Sequence, residues 1–188
     1  MEVGLDLAGS EKRDTGFCFL GRKTDVRIIH TDKEILEEIK KCKPRLVAID
    51  APLSLPRGRK HIGDRAGPHF RKCDLELRRL GIRFFPVTLG PMRMLTKRGM
   101  NLKKKIERLG AEVIEVYPGA TYDVFGVKRK DRKQIASWLR KHGIKTKSWT
   151  QDELDAVACA LTGRWYLQGK AKGIGDKKEG LIVIPVRK

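Results

Sequence analysis

Apolar residues recur along the chain with a period of two in some segments and of about 3.6 in others, which separates predicted strands from predicted helices. Short apolar runs bounded by glycine or polar turns are typical of strands. The strongest run is apolar until it reaches Asp50, and such a run belongs at the centre of a sheet that is covered on both faces. The five predicted strands are residues 3–8, 15–20, 25–30, 45–52 and 111–117.

Helix starts are marked by capping boxes, in which a Ser or Thr precedes a Glu by three residues. Thr31 and Thr150 begin such patterns, and apolar residues at helical spacing follow both. Asp131 predicts a further helix that ends at Gly143. A late strand at 180–185 is expected at an edge of the sheet, because it ends at a proline that cannot donate to a neighbouring strand.

These elements predict an α/β fold with a mixed five-stranded central sheet and flanking helices. A length of 188 residues fits a single domain, residues 1–188. The segment 57–108, which we call the basic insertion, follows the fourth strand and holds 16 Lys or Arg against 4 acidic residues. We expect it to be helical in parts, with a loop around Pro86, Gly90 and Pro91.

The net charge of the chain is +19, from 42 Lys plus Arg and 23 Asp plus Glu. Abundant charged residues with few Asn and Gln are typical of a thermophile. A merely solvated surface would carry balancing acids, however, and the basic insertion lacks them, so the sequence favours an anionic partner, namely nucleic acid (DNA or RNA). The predicted phosphate contacts are Arg57, Arg59, Lys60, Arg65, Arg71 and Lys72.

The sequence also argues against several classes of protein. No run approaches the roughly 18 apolar residues of a membrane span, and the first residues lack the apolar block of a signal peptide. The four cysteines form no CxxC pair and have no histidine at zinc-finger spacing. We therefore expect a cytoplasmic protein with no membrane partner and no structural zinc.

Five acidic residues lie where the pattern calls for apolar ones. Asp6 is inside the first strand, Asp50 ends the fourth, and Glu115 lies in the fifth. Asp152 and Asp155 share one face at the start of the last helix, because they are three residues apart. Burying several carboxylates is unfavourable unless cations neutralise them, and hard cations such as Mg²⁺ or Mn²⁺ prefer oxygen ligands. Two such ions about 3.5–4 Å apart can activate a water and stabilise the leaving oxygen of a phosphodiester.

Four motifs, in this order, resemble an uncharacterised family of predicted nucleases with a ribonuclease H fold, the domain of unknown function 429. The resemblance covers nearly the whole chain and implies both the fold and nuclease activity. The motifs are Gly-Leu-Asp-Leu-Ala at 4–8 before Thr-Gly at 15–16, Ile-Asp-Ala-Pro at 49–52, Glu-Val-Tyr-Pro at 115–118 and Asp-Glu-Leu-Asp-Ala at 152–156.

More distantly, the arrangement is similar to that of Holliday-junction resolvases of the ribonuclease H class. In these a first-strand aspartate, an acid of the fourth strand and an Asp-x-x-Asp pair of the last helix bind the metals. The resemblance implies that Asp6, Asp50, Asp152 and Asp155 are metal ligands and catalytic residues. Glu115 matches the predicted-nuclease pattern as a further catalytic candidate but has no counterpart in the resolvases, and an ion pair with an arginine of the basic insertion is its alternative role.

Purely structural roles stay open for three of the acids. Asp6 could accept hydrogen bonds from the turn that follows the first strand. Asp50 could cap the loop before Pro52, although open α/β sheets place their sites at the carboxyl ends of central strands. Asp152 could simply favour the positive end of its helix.

The sequence thus predicts a metal-dependent nuclease with a two-metal-ion mechanism. A non-catalytic nucleic-acid-binding module of the same fold is the first alternative. A nucleotide-binding protein of the actin-like ATPase superfamily is the second, but that class needs two such domains, and no second copy of the pattern at 4–16 is visible. A homodimer is compatible with the prediction, since many two-strand cutters are symmetric, but nothing in the sequence sets it.

Overall fold

One mixed sheet of seven strands forms the middle of the protein, in a computed structural model that describes residues 1–186. The predicted span of 1–188 therefore includes two residues, 187 and 188, that lie outside the described ones. The strands are β1 (Glu2–Asp6), β2 (Thr15–Leu20), β3 (Thr24–Ile29), β4 (Leu46–Ile49), β5 (Glu112–Val116), β6 (Ala171–Asp176) and β7 (Gly180–Pro185).

The strand order is β3-β2-β1-β4-β5-β7-β6. The first three strands form the predicted antiparallel meander, whereas β4 joins β1 in parallel and β5 joins β4 in parallel. In this register Leu5 lies opposite Ile49, and Ile49 lies opposite Glu115. The carboxyl ends of β1, β4 and β5 therefore lie side by side. They form one edge of the sheet in the sense of the end at which these strands terminate, not an outer strand.

Two expectations about the sheet are wrong. The sheet has seven strands rather than five, because β7 belongs to it and β6, which has two glycines and little apolar character, pairs with β7 as a hairpin. β7 is also not an edge strand, since it lies between β5 and β6. Its proline is tolerated because the pairing with β5 stops at Val183, so Pro185 has a strand on one side only, opposite Ala171.

The helices largely begin where the capping patterns predict. The side chains of Thr31 and Thr150 each accept a hydrogen bond from a backbone N–H three residues later, and both capping boxes are complete. None of the described helices is both long and apolar enough to cross a membrane. The helices are α1 (Asp32–Cys42), α2 (Lys72–Arg79), α3 (Gly90–Glu107), α4 (Pro118–Phe125), α5 (Arg132–Lys141) and α6 (Gln151–Leu167).

Two helix starts differ from the prediction for the same reason. Gly90 and Pro91, expected in a loop, begin α3, and Pro118 begins α4, which the sequence pattern did not predict. Proline is well suited to the first turn of a helix, because its missing N–H is not needed there and its φ is already helical. At both places a residue that signals a turn in fact starts a helix.

Helices cover both faces of the sheet. On one face α4, α5 and α6 pack over Ala48 and Ile114, and on the other α1 and α3 pack over Val47 and Ile49. All four residues of β4 are buried, as expected for a central strand. A smaller cluster of buried apolar side chains joins α2 to β6 and β7. This cluster attaches the basic insertion to the hairpin that β6 and β7 form.

Helix α6 crosses β1 and β2 at very short range because glycine occupies two of the contact points. A Cβ on Gly4 would lie 2.1 Å from the carbonyl oxygen of Ala156, and a Cβ on Gly16 would lie 2.0 Å from that of Asp152. No side chain fits at either distance. The glycines therefore fix the first turns of α6, with its two aspartates, against the end of β1.

Candidate metal centre and its basic surroundings

Two of the predicted acids are neighbours at the edge of the sheet. Asp6 is the last residue of β1, and Asp50 directly follows β4. The backbone N–H of Asp50 donates to the carbonyl oxygen of Leu5 at 2.8 Å, which extends the parallel pairing by one residue. Side chains alternate along a strand, so Asp6 lies on the same face as Gly4, the face that α6 covers.

Asp155, in the second turn of α6, is held by two neutral donors. The hydroxyl of Tyr122 donates to its Oδ1 at 2.6 Å, and the side-chain amide of Gln151 donates to both carboxylate oxygens at 2.9 and 3.0 Å. Burial raises the pKa of Asp155 to about 6, although these hydrogen bonds act in the opposite direction. Asp155 is therefore oriented by uncharged groups, which leave its negative charge uncompensated.

Asp152 lies at the mouth of an open cleft of about 590 Å³. Asp6 and Arg13 line the same cleft, and Met92 from the first turn of α3 faces them. Burial raises the pKa of Asp152, with a contribution from the charge of Asp14. The cleft thus connects the end of β1 and the start of α6 to solvent beside the basic insertion.

Four acids form one electrostatic cluster, which we call the acidic edge: Asp6, Asp50, Asp152 and Asp155. Burial raises the pKa of Asp6 well above its usual range, and the charges of Asp50, Asp155 and Asp152 raise it further. Burial likewise raises the pKa of Asp50, followed by the charges of Asp155 and Glu115. Acids separated by up to about 150 positions in the sequence therefore share one small region.

The acidic edge has the donor chemistry of a divalent-cation site. Every influence on the pKa of Asp6 and Asp50 is upward, and no described residue supplies a cation or a hydrogen bond that lowers it. A hard cation would offset this charge through carboxylate oxygens, as Mg²⁺ and Mn²⁺ do. Within residues 1–186, however, no three acidic, histidine or cysteine side chains are arranged to hold one ion together. The ligand types fit a metal, whereas the three-ligand group is not preassembled.

Glu115 is engaged elsewhere. Both of its carboxylate oxygens accept hydrogen bonds from Arg71 at 2.7 Å, and one accepts a further bond from the backbone N–H of Leu53 at 2.7 Å. Both partners of this ion pair are buried. This pairing with an arginine of the basic insertion is the alternative that the sequence left open. The alternation of side chains along β5 already indicates that Glu115 lies with Val113 on the face of the sheet opposite to Asp6, although it does not identify the partner of Glu115.

Two of the six predicted phosphate contacts lie in the interior. Arg71 is 1% exposed, and it pairs with Asp74 as well as with Glu115. Arg59 is 7% exposed and donates to three backbone carbonyls between Asp64 and Pro68, which closes the loop around them. The burial of both residues argues against the two predicted phosphate contacts, because each guanidinium already donates to protein oxygens.

The other four residues remain at the surface. Arg57 and Lys72 pair with Asp176 at the hairpin of β6 and β7. Lys60 and Arg65 are exposed and make no ion pair within residues 1–186. The six predicted contacts did not include the exposed cations further along the insertion, although the charge count of that segment contains them. Those without an ion pair among the described residues are Arg78, Arg79, Arg83, Arg93, Lys97, Lys104, Lys105 and Arg108.

The fold is of the ribonuclease H-like class and is similar to that of RuvC. A structure described as T. thermophilus RuvC in complex with Holliday junction substrate matches with a TM-score of 0.51 and 15% identity, over 89% of this chain and 94% of that one. A second structure, of Thermus thermophilus RuvC, matches with a TM-score of 0.47 and 15% identity, over 89% and 95%. The first of these matches confirms the predicted ribonuclease H-like fold.

The chain belongs to the family described as "Protein of unknown function (DUF429)", whose model matches residues 4–180. This confirms the family resemblance drawn from the four motifs. A comparison with curated proteins gave no match.

Proposed function

We propose that this protein is a metal-dependent nuclease that hydrolyses phosphodiester bonds of nucleic acid, with Mg²⁺ or Mn²⁺ held by Asp6, Asp50 and Asp155 and assisted by Asp152. The observation that carries the proposal is the convergence of uncompensated carboxylates from β1, β4 and α6 at one edge of the sheet. The net charge is +19, yet no cation within residues 1–186 forms an ion pair with Asp6, Asp50 or Asp155, which supports a site that binds an external cation.

The chain contributes rigidity and orientation to this chemistry. When bound, two divalent ions would activate a water and stabilise the leaving oxygen. Asp6 and Asp50 present their carboxylates from the ends of paired strands, and Tyr122 and Gln151 fix the orientation of Asp155. Glu115 acts in this proposal as a positioning residue, because it holds the backbone at Leu53 and so the loop that follows Asp50.

The exposed cations of the basic insertion would hold the polyanion. They lie beside the cleft that Asp6 and Asp152 line, since Met92 and Leu95 of α3 form part of that cleft. Phosphate contacts of this kind supply affinity without sequence preference. The RuvC structure of similar fold was solved with a Holliday junction, so branched DNA belongs among the substrates to be tested, beside duplex and single-stranded DNA and RNA.

The test compares cleavage and binding in Asp50→Asn. We expect the variant to bind nucleic acid as the wild type does and to lose Mg²⁺- or Mn²⁺-dependent cleavage by more than about 100-fold, since even residues that only support a metal ligand contribute 10–100-fold. Glu112→Gln is the matched control, because Glu112 is an exposed acid of the neighbouring strand β5. Cleavage by Asp50→Asn at the wild-type rate would contradict the proposal.

A non-catalytic nucleic-acid-binding module is the second candidate, and one observation favours it: the described residues contain no preassembled three-ligand group. Calorimetric titration with Mn²⁺ separates the two candidates. The nuclease requires binding that Asp50→Asn weakens, whereas the module predicts no Mn²⁺ binding or binding that the substitution does not affect.

A further inference from the structure

An open pocket of about 640 Å³ lies between the basic insertion and the residues Tyr117 and Arg129, and it shares no lining residue with the cleft of Asp6 and Asp152. Its volume is within the range of about 300–1,000 Å³ that small-molecule and cofactor sites occupy. Four aromatic rings and three guanidinium groups line it, which is unusual in a chain with only 6% aromatic residues. The residues of this aromatic pocket that carry the argument are Phe70, Phe84, Phe85, Tyr117, Arg78, Arg83 and Arg129.

The rings and cations of the aromatic pocket are already organised. Phe70 and Phe84 meet edge to face with their centroids 6.0 Å apart, and the guanidinium of Arg78 lies 4.3 Å from the ring centre of Phe70. The hydroxyl of Tyr117 donates to the carbonyl oxygen of Arg83 at 2.8 Å, and Arg129 donates to that hydroxyl at 2.6 Å. These contacts hold the walls of the pocket in place without filling it.

Phe85 is the feature that the fold itself does not explain. Its side chain is 68% exposed, so it contributes little to the core, yet it lies in the wall of a rigid pocket. A flat apolar ring kept at the surface beside cations is suited to a ligand that is itself flat, aromatic and attached to negative charge.

The charge of the aromatic pocket indicates which kind of ligand it can bind. Arg129 pairs with Asp123, but within residues 1–186 no ion pair involves Arg78 or Arg83, so the aromatic pocket is positively charged. A second copy of this chain would bring the same positive charge against it. A nucleotide satisfies both features, because its base stacks on aromatic rings while its phosphates meet arginine.

The aromatic pocket also adjoins the acidic edge. Phe84, Phe85 and Tyr117 line a second cavity of about 160 Å³ on their other side, and Asp50 lines that cavity too. A base held in the aromatic pocket would therefore place its backbone near the carboxylates. Inside a duplex both faces of a base are covered by stacking, so only an unpaired base reaches such a site.

We propose that the aromatic pocket binds an unpaired nucleobase next to the phosphodiester on which the acidic edge acts. This inference rests on the proposed nuclease function for the role of the phosphodiester, but base binding can be measured without cleavage. It narrows the substrate to nucleic acid with an unpaired nucleotide, such as a single strand, a loop, a flap or a junction.

The experiment measures binding of a short fluorescent single strand and of the matching blunt duplex, with EDTA present so that cleavage cannot occur. Phe85→Ala should weaken single-strand binding by about 5- to 150-fold, the loss typical of one stacking contact, and leave duplex binding within about twofold. Phe85→Trp should restore it, because tryptophan also stacks. Leu75→Ala is the matched control, an exposed apolar residue of the insertion that does not line the pocket.

Three results would overturn the inference: no loss with Phe85→Ala, an equal loss for the duplex, or a change of oligomeric state in sedimentation that accompanies the loss, which would make the pocket an interface between copies. The proposed function fails separately. If Phe85→Ala weakens single-strand binding but no substrate is cut with Mg²⁺ or Mn²⁺, base binding by the aromatic pocket is supported and the proposed nuclease activity is contradicted. If cleavage is metal-dependent and Phe85→Ala binds single strands as the wild type does, the nuclease activity is supported and base binding by the aromatic pocket is contradicted.

Discussion

Asp50, which is half-buried, and Glu115, which is buried, are neighbouring acids with opposite electrostatic surroundings. Glu115 is neutralised by Arg71 and a backbone N–H, whereas Asp50 has only burial and other carboxylates around it. In the absence of a metal, the negative charge of Asp50 therefore opposes folding, while that of Glu115 is part of a satisfied pair. This contrast distinguishes the two roles without an activity assay.

We predict that Asp50→Asn stabilises the metal-free protein at pH 7. The pKa of Asp50 is raised in the folded state, so ionisation at neutral pH favours the unfolded state, and an amide removes that penalty. The midpoint of thermal unfolding should rise by a few degrees, since about 2–4 °C corresponds to 1 kcal/mol in a chain of this size. Glu115→Gln should instead lower it, because it leaves Arg71 buried and incompletely paired.

The same prediction has a defined pH dependence. As pH falls towards the unfolded pKa of about 3.9, Asp50 becomes protonated in both states and the penalty disappears. The difference in melting temperature between Asp50→Asn and the wild type should therefore be largest near neutral pH and shrink towards pH 4. Titrating groups far from Asp50 are common to both proteins and cancel in the difference. Asp6 adds to the difference in the same direction, because the charge of Asp50 raises the pKa of Asp6 in the wild type and the amide does not. A difference that is independent of pH would contradict the raised pKa.

At the scale of elements, the contact of α6 with the meander is the most constrained in the fold. We predict that Gly16→Ala destabilises the protein by about 1–3 kcal/mol, because the new methyl group would overlap the backbone of Asp152 and push α6 outward. Denaturant unfolding measures the loss. Gly63→Ala is the control, since a Cβ there meets nothing within 4 Å. Equal free energies of unfolding for the two variants would contradict the close packing of α6 against Gly16.

Elements with a regular apolar period were predictable, and those that depend on tertiary context were not. The composition of the run at 45–52 alone predicts a central strand, and the structure has the central strand β4 (Leu46–Ile49) there. β6 could not be read because Gly173 and Gly175 weaken its pattern, and it becomes a strand by pairing with β7. α4 was missed because its opening Pro-Gly, at 118–119, is also a turn signal.

Residues of the candidate site were predictable from the sequence where a local pattern marks them, and not where only tertiary contacts define their role. An aspartate within or at the end of an apolar run is a strong local signal, and it makes Asp6 and Asp50 candidates from the sequence alone. The structure places both at the ends of paired strands. The pairing of Arg71 with Glu115 joins positions 44 residues apart, and no local pattern encodes such a contact. Tyr122 escaped notice for the same reason, since only the packed structure brings α4 against Asp155.

At the scale of the molecule, opposite charges are segregated rather than mixed. The acidic edge lies beside an insertion whose exposed cations have few carboxylate partners, so a polyanion is attracted to the surface around the acids rather than to the acids themselves. Binding to nucleic acid should accordingly weaken steeply as salt rises, because each phosphate contact releases counterions.

We predict that Lys60→Gln combined with Arg65→Gln lowers the slope of log affinity against log salt by about 1.5 to 2, with little change in the preference between sequences. Fluorescence anisotropy across a salt series gives the slope. Lys33→Gln is the control, a cation of α1 outside the insertion that pairs with Glu37. An unchanged slope in the double variant would place the polyanion on another surface.

The position of the basic insertion in the chain has an evolutionary consequence. All four members of the acidic edge lie before residue 57 or after residue 108, so the insertion can be exchanged for another segment without altering one of them. Relatives that retain the four carboxylates are thus free to diverge in what they recognise. Two contacts tie such an exchange to the scaffold. A replacement segment must supply apolar side chains that pack over Val47 and Ile49, as α3 does here. It must also bring a cation to Glu115, as Arg71 does, or be accompanied by a neutral residue in place of Glu115.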